Sequence, residues 1–326
     1  RLLVKEALNV DSFKGMVRLV KAVLLVTLCF EGAGMVLSFI VFSQDYSFGR
    51  ALWTSVFHSI AAFNNSGFDI LGGLQNLIPY QKNVLLNLTT CGLIIFGGLG
   101  FLVILDVKRC RGSFRKLSLN SKVVITTTIA LLLSGTLLLK ATEDMSWMGA
   151  FFHSVSARTA GFSTYPMGEL TNAGLFTLTV LMFIGASPGS TGGGIKTTTF
   201  FALMQDVRSV FTKQRPGAFH RTISAESMGK APVIALLSML VVCVGTFLLC
   251  ILEPECTFIQ LLFEEVSAFG TVGLSTGITP NLCVLSKLII ILTMFTGRVG
   301  AFTLLSIWID RPEASAHYTE ESITIG

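Results

Sequence analysis

An all-α integral membrane protein, built from repeated helix–pore-helix–helix units, is the fold class this sequence predicts. Composition, the spacing of apolar stretches and a motif that occurs three times carry that prediction. Of 326 residues, 52% are hydrophobic and only 13% charged; a water-soluble domain so poor in charge would expose apolar patches and aggregate. The 26 Phe and 31 Gly suit helices packed in lipid, where glycine is commoner than in soluble ones.

Taken in order, residues 1–17 read as a cytoplasmic linker. The segment 18–106 holds long apolar stretches at about 18–42 and 83–105 around a short one at 51–63. The segment 107–212 repeats the layout, with long stretches at 121–140 and 172–204 and a short one at 147–157. The segment 213–310 does so again, with 231–252, 257–269 and 283–309. Residues 311–326, RPEASAHYTEESITIG, form a tail on the inner side. Each long stretch reaches or approaches the roughly 20 residues that span a bilayer, whereas the short ones suit re-entrant half-helices.

Charge sets the orientation. The net charge of +5 could point to nucleic acid, but 16 of the 24 basic residues fall in 1–21, 106–122 and 206–230. Acids gather at the opposite ends of the helices: Asp45, Glu143, Asp144, Glu169, Glu253, Glu255, Glu264 and Glu265. This alternation follows the positive-inside rule, puts the short stretches on the outer side and argues against a nucleic-acid partner. Seven cysteines show no CxxC pair or metal spacing; only Cys256 and Cys283 fall on the outer side, where they could be bridged. The charged start RLLVKEALNVDSFK is unlike a signal peptide and lacks an initiator Met.

The short stretches all end in a polar residue, a small residue, a glycine and then Phe or Leu. The copies are Asn65-Ser66-Gly67-Phe68, Thr159-Ala160-Gly161-Phe162 and Thr271-Val272-Gly273-Leu274. Trp53 to Trp147 and Gly67 to Gly161 share one offset of 94, so the first two copies align without a gap. Glycine tolerates the backbone angles that aim carbonyls into a pore. The main-chain oxygens of Asn65, Ser66, Thr159, Ala160, Thr271 and Val272 are therefore candidate ligands for a dehydrated monovalent cation. The negative C-terminal ends of the half-helices would add to that field. A turn glycine after a short helix explains one copy; three in equivalent places favour a selectivity filter. Asp69, Glu264 and Glu265 read either as cation-concentrating acids or as solvated surface charge.

In the stretch 172–204 the apolar run is interrupted by GASPGSTGGGIKTTT. Pro188 removes a backbone donor and the glycines cannot hold a helix, while non-helical backbone in a membrane requires protein or a water-filled cavity beside it. A phosphate loop is excluded, because Ile195 separates Gly194 from Lys196 where GK[ST] is needed. Helix-packing glycines are one reading; the preferred one is a flexible constriction formed by Gly189, Gly192, Gly193, Gly194 and Lys196, below the filter. Arg298, in the last apolar stretch, costs about 2.5–3.5 kcal/mol at mid-bilayer and is expected to face inward, onto loop carbonyls or the ion path. Arg158 is expected to pair behind the second filter, with Glu31 as a distant partner. His58 and His153 are not aligned in the repeats and read as packing residues.

AFNNSGFD, SARTAGFST, ASPGSTGGGIKTTT and SAFGTVGLSTGIT resemble, in order, the second filter, the third filter, the intramembrane loop and the fourth filter of the Ktr/Trk/HKT superfamily of potassium transporters. The short C-terminal end resembles bacterial Ktr membrane subunits. The resemblance implies four helix–pore–helix units around a pseudo-fourfold pore in the cell inner membrane, with Gly67, Gly161 and Gly273 as filter glycines. It makes Gly192 to Lys196 a gate loop opposed by Arg298. It also implies K+ as the transported ion, Na+ as a coupled or stimulating ion, no covalent cofactor, a homodimer, and docking on a cytosolic ring of nucleotide-binding regulatory subunits. The family has four units where this chain has three, so about a quarter of the native polypeptide is expected to lie outside this sequence. Two other classes compete: a non-conducting assembly subunit, and a membrane-embedded ATP-driven pump, which the missing nucleotide motif disfavours.

Overall fold

The computed structural model describes residues 13–73, 75–300 and 302–303. Most of the linker 1–17, the end of the stretch 283–309 and the tail 311–326 lie outside the described residues.

The helices run, in order, α1 Phe13–Phe42, α2 Phe48–Phe63, α3 Val84–Leu99, α4 Phe101–Arg109, α5 Leu119–Thr142, α6 Trp147–Ser156, α7 Asn172–Phe183, α8 Thr197–Thr212, α9 Ala225–Leu252, α10 Phe258–Phe269 and α11 Val284–Val299. Local polar chemistry sets their starts. Ser118, Ser146, Thr171 and Ser224 each accept a bond from an N–H three residues on, capping α5, α6, α7 and α9. Thr257 and Gln260 form a capping box on α10. The basic loop between α8 and α9 holds a short antiparallel ribbon, β1 Gly217–Ala218 with β2 Arg221–Thr222, which the apolar pattern did not foretell.

Among the described residues three helices, Leu19–Phe42, Leu119–Thr142 and Ala225–Leu252, are long and apolar enough to cross a membrane alone. The outgoing stretches are not single helices. The stretch expected at 83–105 divides at Gly100, where α3 and α4 meet with a 92° bend. The stretch 172–204 divides between Phe183 and Thr197, and α11 ends just before Gly300. Gly100 and Gly300 both take positive φ, +89° and +92°. Periodicity alone cannot show such a break, because the residues on both sides are apolar.

The helices pack in an interlocked series. α1 contacts α2 and α3; α5 contacts α6, α7 and α8; α9 contacts α10 and α11; and the α3–α6 and α7–α10 pairs join neighbours. One core gathers Phe42, Phe63, Leu86, Phe152 and Phe162, and a second gathers Leu139, Leu178, Met182, Phe263 and Phe269. Leu24, Leu28, Leu236, Phe247, Leu288 and Phe295 are exposed on the outside of this body, as lipid-facing side chains should be. In lipid, apolar burial gains little from water exclusion, so close packing must hold helices together. Gly97 and Gly297 illustrate it: a methyl group there would lie 1.9 Å from the Phe63 carbonyl oxygen and 1.8 Å from that of Phe269. Each outgoing helix thus rests directly on the C-terminal end of a short one.

A methyl group on Gly100 would sit 2.6 Å from the Pro188 oxygen, and the neighbouring Phe101 N–H donates to Gly189 O at 3.1 Å. Gly100→Ala is therefore expected to lower the thermal unfolding midpoint of the detergent-purified protein, since the backbone alone costs of order 1–3 kcal/mol. Gly92→Ala, on the same helix with open space around it, is expected to leave the midpoint unchanged or raise it.

Candidate functional site

The short helices α2, α6 and α10 end in turns of the same shape. Asn65, Thr159 and Thr271 have positive φ (52°, 88° and 49°), and so do Gly67, Gly161 and Gly273 (69°, 78° and 95°). Each turn is closed by a wide main-chain bond spanning five residues: Ser66 N to Ala61 O, Gly161 N to Ser156 O, and Val272 N to Ser267 O. The left-handed positions turn the chain back on itself, which a glycine allows at no steric cost.

These turns come together. A methyl group on Gly67 would lie 2.6 Å from Ala160 O, and one on Gly161 would lie 2.1 Å from Val272 O. Gly273 faces the Gly161 Cα, 3.9 Å from where its own methyl would be. Asn65 Nδ2 donates to Thr159 Oγ1 at 3.3 Å, a bond between the first and second turns. Asn65, Thr159, Ala160, Phe162, Val272 and Leu274 are buried, and Ser66 and Thr271 are half-buried. Phe68 differs from Phe162 and Leu274: it is 69% exposed and packs no core. Asn65 Oδ1 and Thr271 Oγ1 are enclosed without a hydrogen-bond partner, so oxygen atoms with unused lone pairs face the interior here.

The broken segment 184–196 lies immediately beneath. A methyl group on Gly192 would lie 2.1 Å from Thr159 Oγ1, and one on Gly193 2.4 Å from Thr271 Oγ1. No bulkier residue could sit so close. Ser187 N and Thr191 N donate to Gly98 O and Gly97 O, Thr191 Oγ1 donates to Phe63 O and Gly97 O, and Ile184 bridges Ile195. Lys196 Nζ donates to Gly192 O at 2.7 Å, while Arg298 Nη1 donates to Thr191 O. Arg158 Nη2 reaches Gly185 O at 3.5 Å. Both arginines and the lysine therefore hold main-chain oxygens of this loop. Gly194 packs on Gly185, whereas Gly189 stands at the far end of the loop, exposed, with its carbonyl on Phe101 N and open space where a methyl group would lie.

Several expected partners differ. Glu31 receives Asn64 Nδ2 at 2.9 Å, so its carboxylate is engaged at the first turn and not with Arg158. Glu264 and Glu265 are buried, not solvated. The Glu264 carboxylate accepts from Ser275 Oγ, Thr276 N, Thr276 Oγ1 and Thr279 Oγ1, fastening the chain that leaves Gly273. Glu265 accepts from Thr293 Oγ1. An acid inside the apolar run FIQLLFEEVSAF was the available signal for an internal partner. Asp69 accepts from Leu71 N and lines the outer cavity. His58 meets Thr90 Oγ1 at 2.8 Å and His153 meets Gly149 O at 2.9 Å, both as packed residues. Cys256 and Cys283 are free thiols. On the side of the glycines away from the loop, a cavity of 630 Å³ opens between Asp69, Asn76, Gly161, Ser163, Gly273 and Ser275.

Apolar helices long enough to span a bilayer, packed around irregular glycine turns, are the architecture of a multi-pass membrane protein. The chain belongs to the TrkH family of cation transport proteins, whose family description matches residues 4–143 and 113–315. Members of that family are ion transporters, not enzymes. The chain is 36% identical to the potassium/sodium uptake protein NtpJ of Enterococcus hirae, over all of this chain and 76% of that protein. It is 34% identical to the Ktr system potassium uptake protein B of Bacillus subtilis, over all of this chain and 75% of that protein. The crystal structure of the potassium transporter TrkH from Vibrio parahaemolyticus shares the fold, with a TM-score of 0.72 at 18% identity, over 90% of this chain and 65% of that one.

Removing the Glu264 carboxylate leaves the buried Thr276 N–H and hydroxyl without their acceptor, at about 1–3 kcal/mol for each unmade bond, while Ser275 and Thr279 still bond each other. Glu264→Ala is expected to accelerate hydrogen exchange at the Thr276 N–H and through 275–279. Exchange at 159–163 should stay as in the wild type.

Proposed function

We propose that this chain is the membrane subunit of a potassium uptake system and carries K+ inward down its electrochemical gradient. The observation that supports this most directly is the contact among Gly67, Gly161 and Gly273, each held at positive φ against its neighbour's backbone. In this reading the carbonyls of Asn65, Ser66, Thr159, Ala160, Thr271 and Val272 replace the hydration shell of a passing ion. A further glycine turn from polypeptide outside this sequence completes a pseudo-fourfold ring.

The loop Gly192 to Lys196 is the gate. It lies against the Thr159 and Thr271 hydroxyls, on the side opposite the outer cavity, and leaves no room for an ion between them. Arg298 and Lys196 hold it by its carbonyls, so opening requires those bonds to exchange. Segments 18–106, 107–212 and 213–310 are the second to fourth units of the family order. The active protein is a homodimer in the cell membrane, controlled by a cytosolic ring of nucleotide-binding subunits, with Na+ as a coupled or stimulating ion. The names of NtpJ and of Ktr protein B favour potassium, and in the first case sodium, as the cargo.

Gly273 is the most open of the three, because a methyl group there meets nothing closer than 3.9 Å, and its φ of +95° makes backbone strain the remaining cost of a substitution. Gly273→Ser should lower the K+/Na+ uptake ratio roughly tenfold, about 1.4 kcal/mol of lost discrimination, in cells devoid of other potassium uptake and at equal protein in the membrane. A wild-type ratio would contradict the filter.

A further inference from the structure

We infer that Asn76 is a positioning residue for the Gly67 carbonyl and a determinant of ion discrimination, acting as a carboxamide clamp between the first and second glycine turns. The inference rests on the filter reading above. Asn76 lies in the loop that returns from Gly67 and takes φ +52°, a conformation that Asn tolerates better than most residues. The next residue, Leu77, is fully buried and anchors the loop, and its N–H donates to Ser163 O at 3.0 Å.

The side chain then makes three bonds. Asn76 Oδ1 accepts from Ser163 N at 3.2 Å and from Leu77 N at 2.9 Å, while Nδ2 donates to Gly67 O at 3.2 Å. One amide thereby ties the carbonyl of the first glycine to the main chain two residues beyond the second. Asn76, Gly161, Ser163 and Gly273 all line the 630 Å³ outer cavity, so the clamp sits at the mouth of the ring. The third turn is secured by other means, through Glu264.

A carbonyl oxygen has two lone pairs. The bond from Asn76 occupies one and fixes the peptide plane, leaving the other for an ion, so Gly67 O, on the cavity side, joins the six carbonyls named above. A carbonyl so held cannot swing inward around a smaller ion. Since discrimination depends on the spacing and field of such oxygens, the clamp favours K+ over Na+.

Two variants separate the halves of the clamp. Asn76→Gly keeps the left-handed backbone and removes the side chain. Asn76→Asp keeps the acceptor for Ser163 N–H but sets an oxygen, not a donor, against Gly67 O. In the full transporter, K+ and Na+ uptake are measured separately per inserted protein, alongside Gly273→Ser. Both Asn76 variants are expected to lower the K+/Na+ ratio about threefold or more. An added mouth charge, as in Asn76→Asp, would raise uptake of both cations alike and leave the ratio unmoved. In purified protein, exchange of the Ser163 amide should quicken in Asn76→Gly and not in Asn76→Asp. A wild-type ratio in Asn76→Gly beside a lowered one in Gly273→Ser would overturn the clamp and leave the filter standing. Wild-type ratios in Asn76→Gly and Gly273→Ser would overturn both.

Discussion

Main-chain oxygens and amides at membrane depth must find partners in protein or in a water-filled path, because hydrocarbon supplies none. Every unusual feature of this chain answers to that constraint. The turns after α2, α6 and α10 abandon helical geometry well inside the protein, and each is closed by a five-residue main-chain bond and by contact with its neighbour. The loop at 184–196 is irregular as well, and its carbonyls are met by Lys196, Arg158 and Arg298, its amides by Gly97 O and Gly98 O. Of these cations only Arg158 is buried, and the cost of burying its charge is offset by the Gly185 oxygen it meets; Lys196 is half-buried and Arg298 exposed.

Close approach follows from the same constraint. Glycine recurs where one backbone bears directly on another: Gly97 on Phe63, Gly297 on Phe269, Gly161 on Val272, and Gly185 on Gly193. A single methyl group at any of these places would overlap an oxygen. The body is thus held by fitted surfaces more than by apolar burial, as expected where the solvent is itself apolar. On the proposed reading, the fit also fixes how far apart the axial oxygens stand, which is the property an ion-selective ring needs.

Much of this was legible in the sequence, and the remainder was hidden for definite reasons. The long and short apolar stretches marked the elements to within a few residues, since α1, α5 and α9 are continuous and α6 and α10 begin at polar caps. The recurrence of polar, small, glycine and Phe or Leu marked three equivalent turns, because a positive φ beside neighbouring backbone favours glycine. The 92° bend at Gly100 was invisible: its cause is Pro188 and Gly189, almost ninety residues away. Glu264 looked like an outer acid because its partners, Ser275, Thr276 and Thr279, lie beyond the following turn. Glu31 could be recognised as an unusual acid within a span, but only the fold shows that Asn64 engages it. Asn76 carried no signal, as an Asn in a polar loop is ordinary until its neighbours are known.

The central claim is that ions pass where these turns meet. Anomalous diffraction from crystals of the full transporter soaked in Tl+ tests it most directly. A peak is expected on the axis beside Gly67, Gly161 and Gly273, displaced by excess K+ but not by equal Na+. Thallium bound only at the periphery, with nothing between the glycines, would contradict it.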